Sequence, residues 1–161
     1  MAKEKDIKTN AMRILDRMKI SYEVLTYEVP EFVDGVQVAD IEGVPHETSF
    51  KTLVAEGRSG SYFVFVIPIE KEVDLKAAAR AVGEKSVELI HVKDITKITG
   101  YVRGGCSPLG MKKPFPTVIS SEAKNFSRIY VSGGRIGSTV QLSPDDLASA
   151  CGGKFADVTA E

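Results

Sequence analysis

Apolar positions along the chain recur at two periods, and the alternation between them sets out the elements. Met12, Leu15 and Met18, spaced by three behind Thr9 or Asn10 as N-cap, predict a first helix with those three side chains as its buried stripe. The β-formers of Tyr22–Val29 predict a strand ended by Pro30. Beyond an acidic, loop-like segment with an Asp34-Gly35 turn, Val36, Val38, Ala39 and Ile41 predict a short amphipathic helix closed by Gly43. Phe50–Glu56 and the wholly apolar Tyr62–Pro68, separated by Ser59-Gly60, read as a hairpin.

The second half continues in shorter pieces. Asp74 caps a helix carrying Leu75, Ala78, Ala79 and Val82, which Gly83 stops; Val87–Ile90 is a short strand; Asp94 opens a brief helix that Gly100 closes. Strands at Thr117–Ser120, Arg128–Val131 and Ser138–Leu142 follow, with a helical turn over Ser121–Asn125. Ser143-Pro144-Asp145-Asp146 is a strong helix start, and Phe155–Val158 a last strand. Strands outnumber helices and do not alternate with them regularly. That predicts an α+β fold, a mixed sheet curling toward a barrel and flanked by helices, as one domain over residues 1–161.

Composition narrows the class. At 161 residues with 43% hydrophobic positions the chain can bury a core, and no apolar run approaches a membrane span. The start Met1–Asp6 is polar, so neither a secretory signal nor an anchor is expected, and the reading is cytoplasmic. Cys106 and Cys151 form no CxxC or metal-ligand cluster, so neither metal nor cofactor is expected. The net charge of −1, from 21 basic and 22 acidic residues, argues against an autonomous nucleic-acid binder: RNA affinity would come from a local patch or a partner.

Chemistry concentrates in two glycine clusters, each fed by an apolar lead. One is Tyr101–Gly110 (YVRGGCSPLG), the other Ser132–Gly137 (SGGRIG) after the strand Arg128–Val131. Glycines let backbone N–H groups approach a ligand, so the pair reads as two lips of one pocket, or else as two tight turns. Neither has Rossmann or Walker spacing. Lys51, in the apolar start Phe50–Val54, lies either on a solvent face or with its ammonium toward a phosphate, carboxylate or reacting carbonyl. Cys106 is the nucleophile candidate, but its base would have to be His46 or His91, and neither has a context suggesting partnership. Ser107 and Ser132 fall in no G-x-S-x-G elbow. Asp145, Asp146 and Glu122 are explained by helix starts, and Arg103, Lys112, Lys113, Arg128 and Arg135 could form a basic rim.

Three motifs in this order, Phe50-Lys51-Thr52-Leu53, Gly104–Gly110 (GGCSPLG) with Lys112-Lys113, and Ile129–Gly137 (IYVSGGRIG), resemble the YbaK/EbsC family of Cys-tRNA(Pro) deacylases. These are free-standing relatives of the editing domain of bacterial prolyl-tRNA synthetases, and the likeness runs over essentially the whole chain. The resemblance implies the YbaK/prolyl-tRNA-synthetase-associated domain fold and cleavage of the ester joining cysteine to the terminal adenosine. The substrate's own thiol attacks and releases a thiolactone, while the protein supplies orientation and oxyanion stabilisation. It implies partners in the aminoacylated tRNA 3′ end and prolyl-tRNA synthetase, and no cofactor. Lys51 matches the essential lysine, Tyr27 a pocket tyrosine, Gly104 and Gly105 the pair at the aminoacyl end, and Ser132 and Gly137 positions in the second loop. A pocket phenylalanine of some members aligns to Asp34, or with a shift to Phe32, and Thr139 replaces a pocket aspartate of others. Two readings compete: a non-catalytic module that binds prolyl-tRNA synthetase or an aminoacyl-tRNA end, and a thiol enzyme using Cys106.

Overall fold

The computed structural model describes residues 8–28 and 35–160. The first helix, α1 (Asn10–Arg17), is capped by Thr9, whose hydroxyl accepts from Met12 N at 3.2 Å. It buries Ala11, Met12 and Leu15, whereas Met18 is 46% exposed. The helix ends one residue before Met18, and Lys19, at φ 59°, turns the chain away before that side chain reaches the core.

Among the described residues eight strands form two sheets. β1 (Glu23–Thr26), β6 (Ile129–Ser132) and β7 (Ser138–Leu142) make an antiparallel sheet in the order β1-β7-β6. β1 is shorter than expected because its ladder on β7 ends at the pair Thr26–Ser138; Val29 lies outside the described residues. The other sheet, of five strands, is built on the hairpin β2 (Phe50–Gly57) and β3 (Tyr62–Pro68). β4 (Val87–Leu89) is antiparallel to β2, β5 (Thr117–Ser120) parallel to β3, and β8 (Lys154–Ala156) parallel to β5. The expected mixed, curled sheet is thus two sheets that do not close into a barrel; a bridge between Ser49 and Tyr130 links them.

β3 explains the layering. As a central strand it is covered on both faces, so its sequence is apolar throughout rather than alternating. Val64 and Val66 pack into a core with Leu15 of α1, Val54, Ile129, Val140 and Leu147. Phe63, Phe65 and Ile67 face the opposite way, into a second core with Ala78, Ala79, Val118 and Val158. Phe65 and Ile67 are fully buried, stabilising the fold by about 1.5–3 kcal/mol each. The remaining helices cover these layers: α2 (Gly35–Glu42), α3 (Leu75–Val82, capped by Asp74 and Gly83), α4 (Ile95–Thr99) and α5 (Pro144–Cys151, capped by Ser143). Among the described residues no helix is long and apolar enough to cross a membrane.

Candidate functional site

The two glycine loops meet. Gly105 is buried so tightly against the second loop that a Cβ there would lie 2.8 Å from Arg135 C, Arg135 Cα and Ile136 N. Tyr101 fills the space between them, its hydroxyl donating to Leu109 O at 2.5 Å; burial pushes that hydroxyl up to about 12, keeping it a donor. Gly110 and Gly134, at φ 77° and 104°, leave no room for side chains beside the Tyr101 ring. Thr9 adds a clasp from α1, its hydroxyl donating to Gly133 O. The loops are therefore held by backbone packing around one aromatic ring.

A cleft of about 420 Å³ opens beside them. Lys51, Tyr27, Gly104, Ser132 and Thr139 all line it, contributed by β2, the end of β1, the first glycine loop, β6 and β7. Lys51 is half-buried, and no carboxylate among the described residues pairs with its ammonium. Gly105 and Gly137 shape the wall from behind. The Gly105 N–H is taken by Val102 O at 2.9 Å, so only Gly104, exposed and at φ 85°, offers an N–H without a partner among the described residues. Gly137 O accepts from Tyr27 N at 2.9 Å, which fixes the tyrosine at the rim. Phe32 and Asp34 lie outside the described residues.

The thiol-enzyme geometry is not there. Cys106 lines the cleft, but burial pushes its thiol up to about 11, opposite to what a thiolate nucleophile needs. His46 is turned to carboxylates instead, with Nε2 2.6 Å from Asp40 and Nδ1 3.2 Å from Glu70, and His91 does not line the cleft. Ser107 is fully buried and its hydroxyl accepts from Leu109 N, a turn role. Of the expected basic rim only Arg103 lines the cleft; Lys112 is drawn off, its ammonium donating to Lys97 O at 3.2 Å. Among the described residues no group of three or more His, Cys, Asp or Glu could hold a metal ion.

One wall of the cleft was missed from the sequence. It is the inner face of α2, where Val38, Ala39 and Glu42 line the cleft, while Ile41, expected to be buried, is 52% exposed. The signal was present: positions 38, 39 and 42 share one helical face, and that face ends in a carboxylate rather than an apolar residue. Burial raises the Glu42 carboxyl above its usual range, opposed by a hydrogen bond from Thr139. Glu42 Oε2, Thr52 Oγ1 and Ser138 Oγ are the buried side-chain polar atoms left without a hydrogen-bond partner among the described residues, and all three belong to this cleft. Buried polar atoms are normally paired, so three orphans around one cavity mark a place for a polar ligand.

Comparison with known proteins identifies the family and the fold. The family model of the aminoacyl-tRNA editing domain matches residues 30–150. A protein of Enterococcus faecalis, provisionally named Cys-tRNA(Pro)/Cys-tRNA(Cys) deacylase EbsC, is 44% identical over 161 residues, covering 99% of this chain and 98% of its own. A proline–tRNA ligase of Fervidobacterium nodosum is 31% identical over 83 residues, 52% of this chain and 14% of the ligase. Among solved structures, one described as a provisional trans-editing enzyme for prolyl-tRNA synthetase superposes with a TM-score of 0.80 at 20% identity, covering 96% of this chain and 99% of that one, which establishes likeness of fold.

Proposed function

Because the chain belongs to the aminoacyl-tRNA editing domain family, we propose that it acts in trans as a deacylase of mischarged Cys-tRNA(Pro), and also of Cys-tRNA(Cys). The observation that carries this reading is that Lys51 and Gly104, whose N–H has no partner among the described residues, line one cleft whose only protein thiol is held protonated. Such a site can stabilise an oxyanion but supplies no nucleophile of its own, which suits a substrate that carries one.

In this reading the cysteine thiol of the substrate attacks its own ester carbonyl, forming a C–S bond. Charge gathers on the carbonyl oxygen, where Lys51 and the Gly104 N–H meet it. The C–O bond to the terminal ribose then breaks, the ribose oxygen takes the proton lost by the thiol, and a thiolactone leaves. Tyr27, Ser132 and Thr139, which line the cleft, hold the aminoacyl group in the bent conformation that ring closure requires, and Gly137 keeps Tyr27 in place. A near-neutral chain has little affinity of its own for tRNA, so prolyl-tRNA synthetase supplies it, in the cytoplasm where both reside.

The test is release of the amino acid from Cys-, Ala- and Ser-tRNA(Pro). Cysteine is expected to leave fastest, since it alone carries a thiol; serine leaving equally fast would remove the substrate-assisted step. Lys51→Ala is expected to lower kcat by about 10²–10³, the usual cost of one oxyanion contact. Cys106→Ser should keep its activity; a folded but inactive Cys106→Ser would return the chemistry to the protein thiol. No turnover of any of the three would favour a binding module.

A further inference from the structure

The reading above, on which this inference rests, accounts for the carbonyl end of the substrate and leaves its amino end without a partner. The α2 wall offers a candidate for it. Glu42 is the last residue of α2, on the same face as Ala39, which is 1% exposed. Its Oε2 is buried without a hydrogen-bond partner, and Thr139 on β7 offsets part of the effect of burial on the carboxyl. No Lys, Arg or His among the described residues forms an ion pair with it. The last turn of α2 carries no basic residue either, so the partial negative charge of the helix C-terminus adds to that of the carboxylate. A half-buried carboxylate whose inner oxygen has neither an ion-pair partner nor a hydrogen bond is costly, and the wall gains when a cationic group enters beside it.

We propose that Glu42 binds the α-ammonium group of the aminoacyl ester, so that the cleft selects esters with a free amine. Lys51 and Glu42 then divide the ligand between them, the cation on one wall taking the carbonyl oxygen and the anion on the other taking the ammonium. Glu42 is a specificity-determining residue for the aminoacyl group as a class, distinct from whatever measures the side chain.

The experiment compares Cys-tRNA(Pro) with N-acetyl-Cys-tRNA(Pro) on wild type and on Glu42→Gln. Glutamine keeps the shape and can still accept from Thr139, so the fold should persist, checked by an unchanged melting temperature. Wild type is expected to prefer the free amine, and Glu42→Gln to lose about thirtyfold or more in kcat/KM on the free-amine ester, mostly through KM. On the acetylated ester the two proteins should be alike. Acetylation also changes the intrinsic reactivity of the ester, but that change cancels between the two proteins. Equal impairment of Glu42→Gln on both esters would overturn the proposal in favour of a structural role or of a base acting on the thiol. An undiminished preference for the free amine in Glu42→Gln would also overturn it. Wild type inactive on every aminoacyl-tRNA would sink the deacylase reading instead. Binding of a non-hydrolysable cysteinyl-amide of 3′-amino-adenosine, with and without its amine, then decides on Glu42 alone: the amine must tighten binding to wild type and not to Glu42→Gln.

Discussion

The two walls of the cleft are held by different forces. The wall of the glycine loops is fixed by backbone against backbone, with Gly105 pressed on Arg135 and Ile136 and the Tyr101 ring filling the gap. The α2 wall is an eight-residue helix whose buried apolar anchor is Ala39, and its outer side is tied down by side-chain charges, Asp40 to His46 and His46 to Glu70. The difference matches what each wall is asked to do. An oxyanion contact works only if its donors are in place before charge develops, which calls for rigid packing. A wall that receives an ammonium needs charge and enough compliance to close on it.

The largest expected effect tests the rigid wall. Gly105→Ala places a methyl group 2.8 Å from three backbone atoms of the second loop, none of which can swing aside like a side-chain tip. Destabilisation near the upper end of the overpacking range, about 3 kcal/mol, is expected in urea unfolding, with loss of activity. Gly43→Ala, at the end of α2, is the matched control: its φ of 72° strains an alanine, but nothing lies within 4 Å. The strain there should cost about 1 kcal/mol. Equal costs at the two positions would mean that the loops are not braced against each other.

What could be read from the sequence follows the same division. Glycines announce backbone proximity, so both loops were legible from Gly104-Gly105 and Gly133-Gly134, as pocket lips or as tight turns, and the all-apolar run of β3 was legible as a strand. The reading failed where a residue's role depends on what lies across the cavity. An acidic residue ending a helix looks solvated, so Glu42 passed unnoticed, and Thr139 read as a departure rather than as a neighbour of Glu42 in the cleft. Met18 failed for a local reason, since no periodicity shows that Lys19 will turn the chain. The supposed pair of free amides also shrank to one, because only coordinates show that Val102 O already takes the Gly105 N–H.

A smaller effect sharpens the account of the rigid wall. Tyr101→Phe keeps the ring that separates the loops and removes only the hydroxyl, leaving Leu109 O buried without its donor. The expected loss is about 1–2 kcal/mol in urea unfolding, well short of Gly105→Ala, because packing survives. If Tyr101→Phe proved the more damaging, the hydrogen bond rather than the backbone contact would be holding the wall.

The smallest effect probes the other wall and depends on pH. Both ring nitrogens of His46 face carboxylates, Asp40 and Glu70, an arrangement the protonated imidazole satisfies by donating from each; hydrogen bonding to the two raises its pKa above 6.5. The sign follows from linkage. A group whose pKa is higher folded than unfolded contributes fully below its unfolded value, and the contribution fades as pH rises through the folded one. The tie on α2 should therefore be complete in mildly acidic solution and weaken above pH 6.5, while β2 and the glycine loops, which contain no comparable group, keep their hold. Hydrogen-exchange protection, corrected for the intrinsic pH dependence of exchange, should fall for the amides of Gly35–Glu42 across that range and stay flat for Phe50–Gly57. His46→Gln should leave α2 protection low and nearly independent of pH. If both walls lost protection together, or if the variant kept the wild-type slope, charge would not be what distinguishes them. The compliance ascribed to the α2 wall would then have to come from its shortness alone.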